Sequence, residues 1–284
     1  MIAILGGLGA AVMWAAANLT SSRAGRLIGS TSTVAWMMFI GLIIAAPLGL
    51  ASGPVPPITL ELTFWMACSG FGGVIGLLLV YRALRIGKVG VVTALASTEG
   101  GIAAILAVLA GESLTIPVAA MLCVIAAGIA AVALAAGEAS GPVAAREERQ
   151  AVILGALGAL AFGVTLYSTA RVGQSMPPLM AVLPVRVCGF AAVFVPMALA
   201  GRLRLTRRAA PMVLLIGACE VFGNASYVVG TSQSIAISAV LASQFAAVAA
   251  VAAFFIFHER LSVAQRSGVV VIALGVALLT AVRG

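Results

Sequence analysis

The chain alternates between long apolar runs and short polar clusters. Crossing about 30 Å of hydrocarbon takes roughly 20 helical residues. Ten runs qualify: 2–20, 31–51, 62–85, 89–110, 115–136, 151–172, 177–200, 210–233, 236–257 and 262–282. None alternates polar and apolar positions in the ten-residue segments of a membrane barrel. Lipid admits only helices or closed barrels, because no water is present to satisfy an exposed backbone group. The pattern therefore predicts an all-α integral membrane protein with ten transmembrane helices. The first run has no basic residues ahead of it, as a cleaved leader would. It is read as a helix of the bundle.

The pattern also repeats. Ile4–Ala10 reads ILGGLGA and Ile153–Ala159 reads ILGALGA, while Pro47 is matched by Pro196. Ala94-Leu95-Ala96-Ser97 is matched by Val240-Leu241-Ala242-Ser243. Glu112, Leu114, Ile125 and Gly128 are matched by Glu259, Leu261, Ile272 and Gly275. Matches in one order at a nearly constant offset imply two copies, 1–137 and 151–284, joined by a cytoplasmic connector at 138–150. Five spans per copy is an odd number, so the second copy crosses the membrane in the opposite sense. Inverted five-helix repeats are an architecture of secondary transporters, whose substrate site lies near the midplane between the copies.

Composition agrees with lipid as the main solvent. Apolar residues make up 63% of the chain and charged ones 8%, against about a quarter charged in soluble domains. The net charge of +8 is scattered in loops, which sets orientation and does not indicate nucleic acid. Loops after odd-numbered spans carry Arg23, Arg26, Arg82, Arg85, Lys88, Arg146, Arg149, Arg202, Arg204, Arg207, Arg208, Arg260 and Arg266. The opposite ends carry only Arg171 and Arg283. By the positive-inside rule both termini face outward, and the expected location is a bacterial inner membrane. Cys68, Cys123, Cys188 and Cys219 lie within apolar runs and read as small buried hydrophobes. With one histidine, His258, no aspartate and no nucleotide or metal motif, the chain is expected not to be an enzyme. No metal or other cofactor is expected.

Three ionisable residues fall deep in spans: Glu99, Arg186 and Glu220. A charge there costs on the order of 3 kcal/mol, so each should pair, line water or face the bundle interior. Asn224, Tyr227 and Thr231 follow Glu220 on one helical face, as a pathway wall or as interhelical glue. Arg186 suits a substrate carboxylate or phosphate, or an ion pair with Glu220 or Glu99. Whichever glutamate is left over, Glu220 or Glu99, is a candidate to carry a proton. Trp14, Asn18, Ser97 and Gln244 complete the expected pathway. Glu112 and Glu259 are read as turn and helix-terminus residues.

Gly111-Glu112-Ser113-Leu114 and His258-Glu259-Arg260-Leu261, each followed by a helix with a late glycine, resemble the EamA type of the drug/metabolite transporter superfamily. Trp14 looks like that family's first-helix tryptophan, and Arg186 like its arginine in the pair formed by helices 2 and 7. Two departures stand out: Ser97-Thr98-Glu99-Gly100 and Ser243-Gln244-Phe245-Ala246 lack the family's proline, and Met37 occupies the repeat position of Arg186. The resemblance implies two EamA-like repeats moving small metabolites such as amino acids or drugs by alternating access. Proton-coupled export is the leading expectation, an uncoupled facilitator the alternative, and a membrane scaffold or lipid-handling protein a distant third. The partners implied are a small-molecule substrate, the lipid bilayer and protons, with a monomer sufficient for the fold.

Overall fold

A computed structural model describes residues 1–86, 92, 95–116, 119–120, 123, 142–245, 247–249 and 251–252. Nearly all of the fifth and tenth expected spans lies outside these residues, and with them Gly128, Glu259 and Gly275.

Helices α1 (Ile2–Ile28), α2 (Ser30–Ala51) and α3 (Leu60–Ile86) form the first part of the bundle, with α4 (Glu99–Leu109) after them. Next come α5 (Pro142–Gly173), α6 (Pro178–Leu199), α7 (Ala210–Thr231) and α8 (Ile235–Ala242). Six of the described helices are long and apolar enough to cross a membrane. Leu5, Ile43, Phe71, Ile105 and Phe222 point outward and are exposed. Such a surface would be a liability in water and is at home against acyl chains.

Four segments depart from the sequence reading, three of them for a local reason that the sequence carries. The charged stretch expected as a connector is helical from Pro142 and runs into α5. Proline is pre-organised for a first helical position, and the Ala, Arg, Glu and Gln that follow are good helix formers. The fourth and ninth spans, expected unbroken, each contain a two-residue turn, at 97–98 and at 243–244. The Thr98 amide N–H donates to the Leu95 carbonyl at 3.0 Å, and the Gln244 N–H to Leu241 at 3.1 Å. These three-residue bonds tighten the turn. Side chains compete for the freed carbonyls: Thr98 Oγ1 donates to Leu95, and Ser243 Oγ and Gln244 Nε2 both donate to Val240. Hydroxyl and amide side chains break helices in this way without any proline. Finally, α6 passes through a π-helical stretch at Phe190–Phe194, just beyond Arg186.

Packing follows a simple scheme. Helix α1 lies against α7 and α8, α3 against α5, and α4 against α5 and α8. Helix α2 packs on α6 and α7, and α6 on α3. Between lipid-bathed helices the hydrophobic effect contributes little, so small residues that permit close approach carry the association. A Cβ on Gly6 would sit 2.5 Å from the Gly230 backbone, so α1 and α7 nearly touch there.

The bundle's largest core joins Ile4, Trp14, Tyr167, Tyr227 and the buried face of α8, towards the end that carries Met1. Polar contacts tie the same end together. Ala3 N–H donates to Gln233 Oε1 at 3.0 Å, Ser238 Oγ to the Ala3 carbonyl at 3.1 Å, and Ser69 meets Thr169 at 2.7 Å. Arg171 pairs with Glu61 at 2.9 Å and stacks over Trp65. Glu112 accepts from Ser234 Oγ and from the backbone N–H groups of Ile235 and Ala236. A carboxylate from the first half of the chain thus caps the N-terminus of α8, where its charge meets the positive end of the helix dipole. Glu112→Ala should lower stability by about 1.5–3 kcal/mol, the range for hydrogen bonds to a charged group. Thermal denaturation in detergent would check this.

The cysteines are free, and only Cys219 is fully buried; Cys68 and Cys188 are half-buried and Cys123 is exposed. The expectation of four buried thiols is corrected here. In lipid a small apolar side chain gains little from burial, so nothing drives Cys123 inward.

Candidate functional site

A cavity of about 320 Å³ lies inside the bundle, lined by six helices and the two broken segments. Helix α1 presents Trp14, Asn18 and Ser21 along one face, and α3 presents residues from Gly73 to Leu84. A second concavity of about 630 Å³ adjoins it, sharing Val34, Leu77 and Tyr81 and reaching Arg82 and Arg85. The hollow therefore runs from mid-bundle towards the arginine-rich end, and the Met1 end is filled by the core described above.

Arg186 is the centre of the charged group. It is 1% exposed and among the largest fully buried side chains of the protein. Its Nη2 donates to the Glu220 carboxylate at 3.0 Å and to the Glu220 carbonyl at 3.3 Å, and Nη1 approaches Met38 Sδ at 3.7 Å. Gly41 makes room for the stem, since a Cβ there would lie 3.0 Å from Arg186 Cδ. Among the described residues, the ion pairing of this arginine is with Glu220 and none is with Glu99. Glu99 is buried at the start of α4, just after the break, and contributes to the cavity wall.

The polar amides beside these charges are bound to their own helices. Asn18 Nδ2 donates to the Trp14 carbonyl at 2.9 Å, and Asn224 Nδ2 to the Glu220 carbonyl at 2.7 Å. Trp14 packs near Tyr227 and edge-on to Phe245, with centroids 6.3 and 6.2 Å away. Its buried indole N–H has no acceptor among the described residues.

Of the residues the sequence singled out, Trp14, Asn18, Glu99, Arg186, Glu220 and Asn224 share this wall. Ser97, Tyr227 and Gln244 do not line it and are buried in the packing. Tyr227 donates to the Leu166 carbonyl at 3.1 Å, and Gln244 turns back to Val240. The polar stripe on α7 is thus divided: Glu220 and Asn224 face the cavity, and Tyr227 and Thr231 serve packing and backbone contacts. The sequence reading missed Tyr81, Phe162, Thr165 and Phe245, which also line the wall. Phe245 follows the second helix break as Glu99 follows the first, so the repeat held that signal.

Apolar helices long enough to cross a membrane thus surround a cavity whose wall carries charged side chains. Residues 1–134, just under half of the chain, match the family described as EamA-like transporter family, in line with the resemblance read from the sequence. One solved chain, described only as "Crystal structure of protein", resembles this fold with a TM-score of 0.79 at 18% identity, covering 98% of each chain. No curated protein matches.

Proposed function

We propose that this protein is a secondary carrier of small metabolites, built from two inverted five-helix repeats and working by alternating access around the Arg186–Glu220–Glu99 cavity. The observation that carries this reading is the cavity itself: charged, at mid-bundle, hollow towards one end and sealed at the other. The repeats, 1–137 and 151–284 across the 138–150 connector, are supported by the packing. Exchanging α1, α2, α3 and α4 with α5, α6, α7 and α8 turns the α1–α7 contact into α3–α5. It likewise turns α1–α8 into α4–α5 and α2–α7 into α3–α6. The helix breaks after Leu95 and Leu241 obey the same exchange.

With the arginine-rich end in the cytoplasm, this conformation faces inward and both termini lie outside, in a bacterial inner membrane. Glu99, without a cation partner among the described residues, is the group that loads and releases a proton; Glu220 is held by Arg186. A buried carboxylate of that kind couples substrate movement to a proton gradient. Proteoliposomes should show counterflow of a labelled substrate that needs no ATP, and uphill accumulation when a pH gradient is imposed. Counterflow without accumulation would leave a facilitator; neither process with any metabolite would end the proposal.

A further inference from the structure

We propose that an anionic phospholipid seats in the groove between α2 and α3, its phosphate held by Arg82 and Arg85 and an acyl chain running along the outer face of α3. The proposal needs the protein to lie in a bilayer and does not depend on transport. It starts from a gap. Helices α2 and α3 follow one another in the chain yet share almost no contact, and each packs on α6 instead. Their separation leaves the concavity of about 630 Å³, with Ser30 and Val34 on one side and Leu78, Arg82 and Arg85 on the other. The buried Val193 of α6 also lines it.

The outer face of α3 is ordered as a lipid is. Phe71, Ile75, Leu78, Arg82 and Arg85 recur at i, i+4, i+7, i+11 and i+14, which is one stripe of a helix. All five are exposed. At 1.5 Å per residue the arginines stand about 6 and 10 Å beyond Leu78 along the axis. That spacing leaves room for a glycerol backbone between an acyl chain and a phosphate.

Arginines at the cytoplasmic end of a membrane protein are accounted for by orientation alone, so their number argues nothing. This pair is set apart by its surroundings. It borders a groove, and neither arginine has an ion-pair partner among the described residues, whereas Arg171 at the opposite end has Glu61. The guanidinium fork matches phosphate oxygens bidentately, and Ser30 brings a hydroxyl donor to the facing wall. The feature is also confined to one copy, because α7, the counterpart of α3, has no basic residue in its last turn. Basic pockets between helices on the cytoplasmic side are where anionic headgroups bind.

Native mass spectrometry of the full-length protein in detergent resolves bound lipids and their affinities. The probes are dioleoylphosphatidylglycerol, dioleoylphosphatidylcholine, dihexanoylphosphatidylglycerol and inorganic phosphate. The first should bind roughly thirtyfold tighter than the second, as expected for two basic residues beside one anionic headgroup. The short-chain lipid and inorganic phosphate should compete poorly with it. Arg82→Gln with Arg85→Gln should erase the headgroup preference. Arg207→Gln with Arg208→Gln, outside the groove, should leave it in place. All four arginines are exposed, so neither double variant removes core packing. Equal loss in both double variants would mean attraction to surface charge at large, and would overturn the proposal. Equal affinity for the two dioleoyl lipids would overturn it too, as would inorganic phosphate displacing the lipid as an equal. A groove-dependent preference without counterflow of any metabolite would keep this site and end the transport reading; counterflow without the preference would do the reverse.

Discussion

Arg186→Met should abolish transport and destabilise the protein by about 3 kcal/mol, the lower end of the range for breaking a buried ion pair. The cost arises on the partner: Glu220 would be left charged in the cavity wall with its cation gone. Because the Glu220 side chain keeps some exposure, water relieves part of that cost, hence the lower end. The double substitution Arg186→Met with Glu220→Gln removes both charges and should recover most of the stability. It should recover none of the transport. Chemical denaturation in detergent gives the first quantity and counterflow the second. Loss of stability that persists in the double variant would mean that Arg186 acts through packing volume and not through its charge.

Glu99→Gln should leave counterflow measurable at raised substrate concentration and reduce uphill accumulation driven by a pH gradient to background. Glutamine keeps the shape and the hydrogen-bonding capacity of the side chain but cannot take up a proton. The position is decisive because the second carboxylate, Glu220, is held by a fixed cation at 3.0 Å. Glu220→Gln should therefore impair binding and pairing more than coupling. Proton-driven accumulation that survives in both variants would remove proton coupling from the account.

Much of this was legible in the sequence because lipid imposes a simple code. An apolar run of sufficient length has few alternatives to a helix, and α1, α2, α3, α6 and α7 lie close to the runs that forecast them. Glu99, Arg186 and Glu220 could be singled out because charge inside an apolar run is costly. What remained hidden depends on where helices meet. The sequence did not decide which glutamate pairs with Arg186; the closeness of α6 and α7 does. Tyr227 continues the helical face of Glu220 and Asn224, yet its hydroxyl reaches Leu166 and leaves the cavity wall. The turns after Leu95 and Leu241 were invisible as breaks, because serine, threonine and glutamine are tolerated in helices and no proline marked the site. Glu112 read as a terminus residue, but the helix it caps lies across the bundle, 122 residues from it in the chain.

If one cavity between two rocking halves is the transport path, opening one end must close the other. Spin labels on a cysteine-free background can follow both ends at once, one pair at Glu61 and Arg171 and another at Leu84 and Pro211, each pair spanning the two copies. On shifting the protein between substrate-free and substrate-loaded conditions at two pH values, the 61–171 distance should lengthen while the 84–211 distance shortens. Distance distributions at both ends that stay fixed under every condition would contradict the account.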